Sequence, residues 1–114
     1  MQVILDVFSG RSNPSWELTS QEASELARRL IGLAPANRTL TEGGLGYRGL
    51  TVANPDKVVG FPVQIRVFHS VIGLWKNEHV MCYSDQNHVE DWLLELARQR
   101  GYGDLVDQIV GNNG

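Results

Sequence analysis

The chain holds one cysteine, Cys82, so no disulfide can close within it, and a reducing compartment suits it best. It also lacks any apolar run near the ~18 residues needed to cross a bilayer. Met1 leads straight into an amphipathic strand pattern rather than a basic start and an apolar stretch. The expectation is a soluble, unsecreted, cytoplasmic protein in which the Asn37-Arg38-Thr39 sequon carries no glycan. Concentrated positive charge is missing too. Residues 85 to 114 hold six acids against two bases, and the other 84 residues hold seven acids against eight bases. That distribution disfavours a phosphate backbone as partner. No internal repeat is visible, and no membrane partner or cofactor is implied.

What is present is an ordinary globular composition. The 114 residues are 42% apolar and 20% charged, enough for a single core that buries roughly two-thirds of the unfolded surface. One globular domain is expected over residues 1–110, with 111–114 as a frayed tail.

Residues 2 to 8, "QVILDVF", are apolar on both faces with one carboxylate, Asp6, set among them, as in a central strand. Thr19 and Glu22 have capping-box spacing, and Ala23, Leu26, Ala27, Leu30 and Ile31 follow as one helical stripe that Gly32 can stop. Residues 33 to 46 read as a long loop and "YRGLTVAN" as a short strand. Asn54 to Gly60 carries turn chemistry. Val63, Ile65 and Val67 alternate with Gln64 and Arg66, and the pattern continues through "FHSVIGLW" to a turn at "KNE" and a returning strand "HVMCYS". Asn87 and Glu90 repeat the capping-box spacing ahead of Val89, Trp92, Leu93, Leu96 and Ala97, closed by Gly101. A last helix is expected from about Gly103 to Val110. The order β-α-β-β-β-α-α predicts an α+β fold, a mainly antiparallel sheet with helices packed on one face.

Four groups of residues could carry function. Gly44-x-Gly46-x-x-Gly49 has dinucleotide-fingerprint spacing, but strand-forming residues follow it where that motif needs a helix, so a flexible glycine loop is expected. His79, Cys82 and His88, with Asp85, are ligand-capable types spaced by three. An odd separation on one strand sends His79 and Cys82 to opposite faces, which leaves a metal module as a weak alternative. His69 continues the face of Val63, Ile65 and Val67 as a partly buried imidazole able to act as acid or base.

The fourth group is "DVFSGRSNPSW". Asn13-Pro14 kinks the chain ahead of the helix, and Arg11, Asn13, Trp16 and Arg48 could hold a small anionic ligand. The structural alternative uses the same residues differently. Asp6, costly to bury unpaired, takes Arg11, Arg48 or Arg66 as partner, and Trp16 covers the turn with its indole N–H on a carbonyl. The run resembles the opening of a group of small proteins that begin D-V-F-S-G-R-x-N-P-x-W, where the position of Ser12 is often Pro. The resemblance extends over these eleven residues and the "GLGYRG" run, and it implies no activity.

A lightly charged segment, "VFHSVIGLW" at residues 67 to 75, would pair with a second copy if it lay on a sheet edge. The leading expectation is therefore a binding domain without catalytic chemistry, self-associating as a homo-oligomer or joined to another protein. The runner-up is a small enzyme or anion-binding protein in which Arg11, Asn13 and Arg48 orient a substrate and Asp6 or His69 moves a proton.

Overall fold

A computed structural model describes residues 1–8, 12–40 and 46–113. It contains a six-stranded antiparallel sheet and helices packed against one of its faces, an α+β architecture. The strands are β1 Gln2–Leu5, β2 Ser15–Glu17, β3 Leu50–Ala53, β4 Gln64–Phe68, β5 Val71–Lys76 and β6 His79–Ser84, in the order β2-β1-β3-β4-β5-β6. The helices are α1 Ser20–Arg29, α2 Val89–Ala97 and α3 Gly103–Asn113. α3 takes in residues 111–113, which the sequence assigns to a tail.

Period-two alternation decides which side chains meet the helices. Trp16, Val3, Val52, Ile65 and Leu74 lie in register across five strands, and Leu5, Leu50, Val67 and Ile72 form the next row. Leu26 of α1, Val89, Leu93 and Leu96 of α2, and Val106 and Ile109 of α3 close over these rows as one core. Fully burying a side chain of this size is worth about 1.5–3 kcal/mol.

The capping box of α1 forms as expected. Thr19 Oγ1 accepts from the Glu22 amide and Glu22 Oε1 accepts from the Thr19 amide. Glu22 also receives both terminal nitrogens of Arg100, at 3.1 and 2.8 Å, which ties the start of α1 to the α2–α3 junction. Gly32 follows with φ 72°, the left-handed stop the sequence predicts. Ile31, expected on the buried stripe, is instead 72% exposed because α1 ends at Arg29. Gly101, with φ 97°, breaks the path between α2 and α3 where closure is expected.

Four further expectations are corrected. The segment 67–75 is not one strand: His69 and Ser70, with φ 50° and 68°, make a two-residue turn that divides β4 from β5. Positive φ at both central residues is the hairpin geometry that usually selects Asn-Gly, so nothing in His-Ser announces it. β5 then lies between β4 and β6, which removes the exposed edge on which self-pairing rested. β2 is also unforeseen, since "SWE" is too short for an alternation signal. Lastly, Asn87 does not cap α2. His88 occupies the cap position with φ 57°, and the Asp85 carboxylate accepts the Val89 and Glu90 amides. Asn87 Nδ2 donates to the Arg29 carbonyl, and Arg29 Nη1 returns a bond to the Asn87 carbonyl, joining the end of α1 to the start of α2.

Arg100 beside Glu22 is the main reason its carboxyl is held below the ordinary range, against a smaller opposing effect of burial. A carboxyl lowered on folding adds stability that is fully present above its unfolded pKa of ~4.3 and lost as pH falls through the folded value. Glu22→Gln is expected to cost about 1–2 kcal/mol at neutral pH. In urea titrations the difference from the parent chain should shrink as pH is lowered through 4.

Candidate functional site

Asp6 and Arg48 meet because of a bulge. The Arg48 amide donates to the Asp6 carbonyl while the Asp6 amide donates to the Gly49 carbonyl, so two residues oppose one where β1 and β3 run out. A bulge reverses the alternation beyond it. Arg48 therefore leaves the face of Leu50 and Val52 and turns to the face that carries Asp6 and Arg66. Gly49 has φ 97°, and a Cβ there would run into the Val67 carbonyl oxygen and come within 2.8 Å of Phe68 Cβ.

Asp6 is thus held from three sides. Arg48 Nη2 donates to its Oδ1 at 2.7 Å, Asn13 Nδ2 at 3.2 Å, and Arg66 Nη2 stands 3.7 Å from Oδ2. Arg48 Nη2 also reaches the Phe8 carbonyl, and Asn13 Oδ1 accepts the Val7 and Phe8 amides. Of the residues expected to bind an anion, Asn13 and Arg48 are brought together, and both are engaged in fixing Asp6. Arg11, and with it the Asp6–Arg11 lock, lies outside the described residues, as do Ser9 and Gly44. Trp16 is on the opposite face of the sheet. Its ring is buried in the core with Tyr102 at 6.2 Å between centroids, so it is not a lid over the turn, and its indole N–H has no hydrogen-bond partner among the described residues.

The other expected residues disperse. Cys82 pairs across the sheet with Gly73 and His79 with Lys76, whereas His88 projects at the start of α2 and contacts Asp91 at 3.5 Å. Among the described residues no group of three or more His, Cys, Asp or Glu side chains is placed to hold a metal ion. Gly46 and Gly49 both have positive φ and lead into β3 rather than a helix. No helix among the described residues is long and apolar enough to cross a membrane.

A cleft of about 570 Å³ lies at the sheet end where the β4–β5 turn faces α2 and α3. From the sheet side it is lined by Arg38, Tyr47, His69 and Ser70. α2 contributes Glu90, Asp91 and Leu94, one helical face by their spacing, and α3 contributes Ile109 and Val110. Leu94 and Ile109 are almost fully buried, whereas Val110 is half-exposed.

Tyr47, Glu90 and Arg38 are fixed in this cleft by contacts within the chain. The Tyr47 hydroxyl donates to Glu90 Oε2, and its ring meets Phe68 edge-on at 5.6 Å. Burial, and then the Glu90 carboxylate, push the Tyr47 phenol far above its usual range, so it remains a donor. Arg38 Nη2 donates to the His69 carbonyl, tying the 33–40 loop to the turn. His69 is exposed in the turn with its ring 3.8 Å from that of Phe68, not partly buried on the face of Ile65 and Val67. Of the residues lining the cleft, sequence reasoning singles out His69 alone. The lining comes from five separate stretches, and beyond His69 only the acids at the start of α2 had a local signal.

No family model, curated protein or solved structure matches the chain.

If Asp6 is the anchor of this end of the sheet, Asp6→Ala leaves Arg48 and Arg66 without a counter-charge, each keeping only a backbone carbonyl. The expected cost is about 1–3 kcal/mol, discounted for the partial exposure of all three groups. A double-mutant cycle with Arg48→Ala, read by chemical denaturation, should return a coupling of about 1 kcal/mol. Gly49→Ala should cost about 2–4 kcal/mol, from positive φ and overpacking together, against about 1 for Gly46→Ala, whose Cβ would meet open space.

Proposed function

We propose that this protein is a binding domain without chemistry of its own, and that its ligand seats in the cleft between the β4–β5 turn and α2–α3. The observation that carries this reading is preorganisation. Tyr47 is held by Glu90 and Arg38 by the His69 carbonyl, above an apolar bottom of Leu94 and Ile109. Groups already fixed before a ligand arrives lose little conformational freedom on binding. A cleft of several hundred Å³ in which convergent polar groups stand beside apolar side chains has the size and the means of orientation of a small-molecule site.

Binding is favoured over catalysis by how the reactive types are used. Ser70 and His69 are neighbours in a tight turn. Among the described residues no carboxylate bonds the His69 imidazole to orient it as a base, as a nucleophile–base pair requires. Asp6, the other acid considered for proton transfer, is committed to Arg48 and Asn13. The support for self-association through residues 67–75 is gone with the edge position, so a second copy is not part of this reading.

The test is an NMR screen of small amphipathic organic compounds against the intact chain. Binders should shift the amides of Ser70, Glu90, Leu94 and Val110 as one group, and Val110→Arg, which fills the half-exposed side of the cleft, should weaken those shifts at least tenfold. A screen in which no compound moves these amides, or in which Val110→Arg binds as the parent does, would end the proposal.

A further inference from the structure

The lining of the cleft specifies more than size. It combines one cation, two carboxylates and an apolar bottom, contributed by different elements. Arg38 spends one hydrogen bond on the His69 carbonyl, out of five N–H donors on a guanidinium. Glu90 accepts from Tyr47 through Oε2, and the acceptor capacity of a carboxylate exceeds one bond. Asp91, 78% exposed, lies one residue further along α2. An anion alone would meet two like charges here, and a cation alone would meet Arg38. A neutral apolar body would leave every one of these groups to be desolvated without a partner.

We infer that the cleft takes an amphipathic zwitterion of the α-amino-acid type with an apolar side chain. Its carboxylate sits at the Arg38 guanidinium, its ammonium at Glu90 and Asp91, and its side chain lies on Leu94, Ile109 and Val110. Arg and carboxylate suit one another through paired N–H donors. An ammonium offers three donors to the acidic side. This inference rests on the cleft being the binding site, and it adds the class of ligand.

The experiment uses three probes on the intact chain: L-phenylalanine, phenethylamine, which lacks the carboxylate, and 3-phenylpropionate, which lacks the ammonium. Chemical-shift titration should place phenylalanine at the amides of Ser70, Glu90, Leu94 and Val110 with at least tenfold tighter binding than either truncated analogue. Arg38→Gln should remove the advantage of phenylalanine over phenethylamine without weakening phenethylamine itself. Glu90→Gln should weaken phenylalanine and phenethylamine but not 3-phenylpropionate. Because Glu90 also accepts from Tyr47, Asp91→Asn serves as the second acidic variant, with the same selectivity expected at an exposed position. The zwitterion is overturned if either analogue binds as tightly as phenylalanine, if the charge variants affect all three probes equally, or if none of the three binds. When other amphipathic compounds still shift the same amides, the failure is that of the ligand class and the cleft itself stands. When nothing shifts them, both fall together.

Discussion

Burial of one face of the six-stranded sheet is the constraint on which everything else in this molecule depends. Antiparallel alternation commits every second residue of β1 to β5 to that face, and α1, α2 and α3 are needed to cover it. A charge on that face would be desolvated, so the polar residues of the strands go to the other face or to the ends. Asp6, Arg48 and Arg66 meet on the opposite face, and the cleft opens at an end, where the helices stop covering the sheet. The position of both polar groupings follows from the location of the core.

A single backbone irregularity then sets the detail. The bulge at Arg48–Gly49 moves one cation across the sheet, which is what allows Asp6 a partner only 2.7 Å away. It needs a residue that accepts positive φ and presents no Cβ to the Val67 carbonyl, and glycine alone meets both demands. The three-glycine pattern that resembles a nucleotide-binding fingerprint thus contains, at its last position, a glycine with a structural reason of its own.

The ends of α1 and α2 are joined in a comparable way. Arg29 donates to the Asn87 carbonyl, Asn87 answers on the Arg29 carbonyl, and the Arg29 guanidinium lies 5.2 Å from the Trp92 ring centre. Arg100 performs a similar task for the other end of α1 through Glu22 and the Glu17 carbonyl. The helical layer is held to itself by charged groups reaching backbone carbonyls, and this fixes the helices that form one wall of the cleft.

Local signals were enough for much of this architecture. The Thr19–Glu22 box, the Gly32 and Gly101 stops, the apolar stripes of α1 and α2 and the alternation through Ile65 and Val67 are all short-range consequences of residue type, and they sufficed for an α+β fold with helices on one face. The His69–Ser70 turn and the β2 strand had no local signature, because each depends on what the neighbouring strands offer rather than on its own residues, and the local Asp85 cap was masked by the capping-box spacing of Asn87 and Glu90. The pairing of Asp6 with Arg48, 42 residues away, was one of three arithmetically equal options, and the bulge is what aims this arginine at it. The cleft is the extreme case. Its lining comes from Arg38, Tyr47, the β4–β5 turn, α2 and α3, segments that only packing over a common core brings within reach. Residue type therefore determined most of the elements and the faces they bury, while the tertiary structure decided which polar groups from distant stretches meet, since that depends on register and helix placement rather than on any one stretch of sequence.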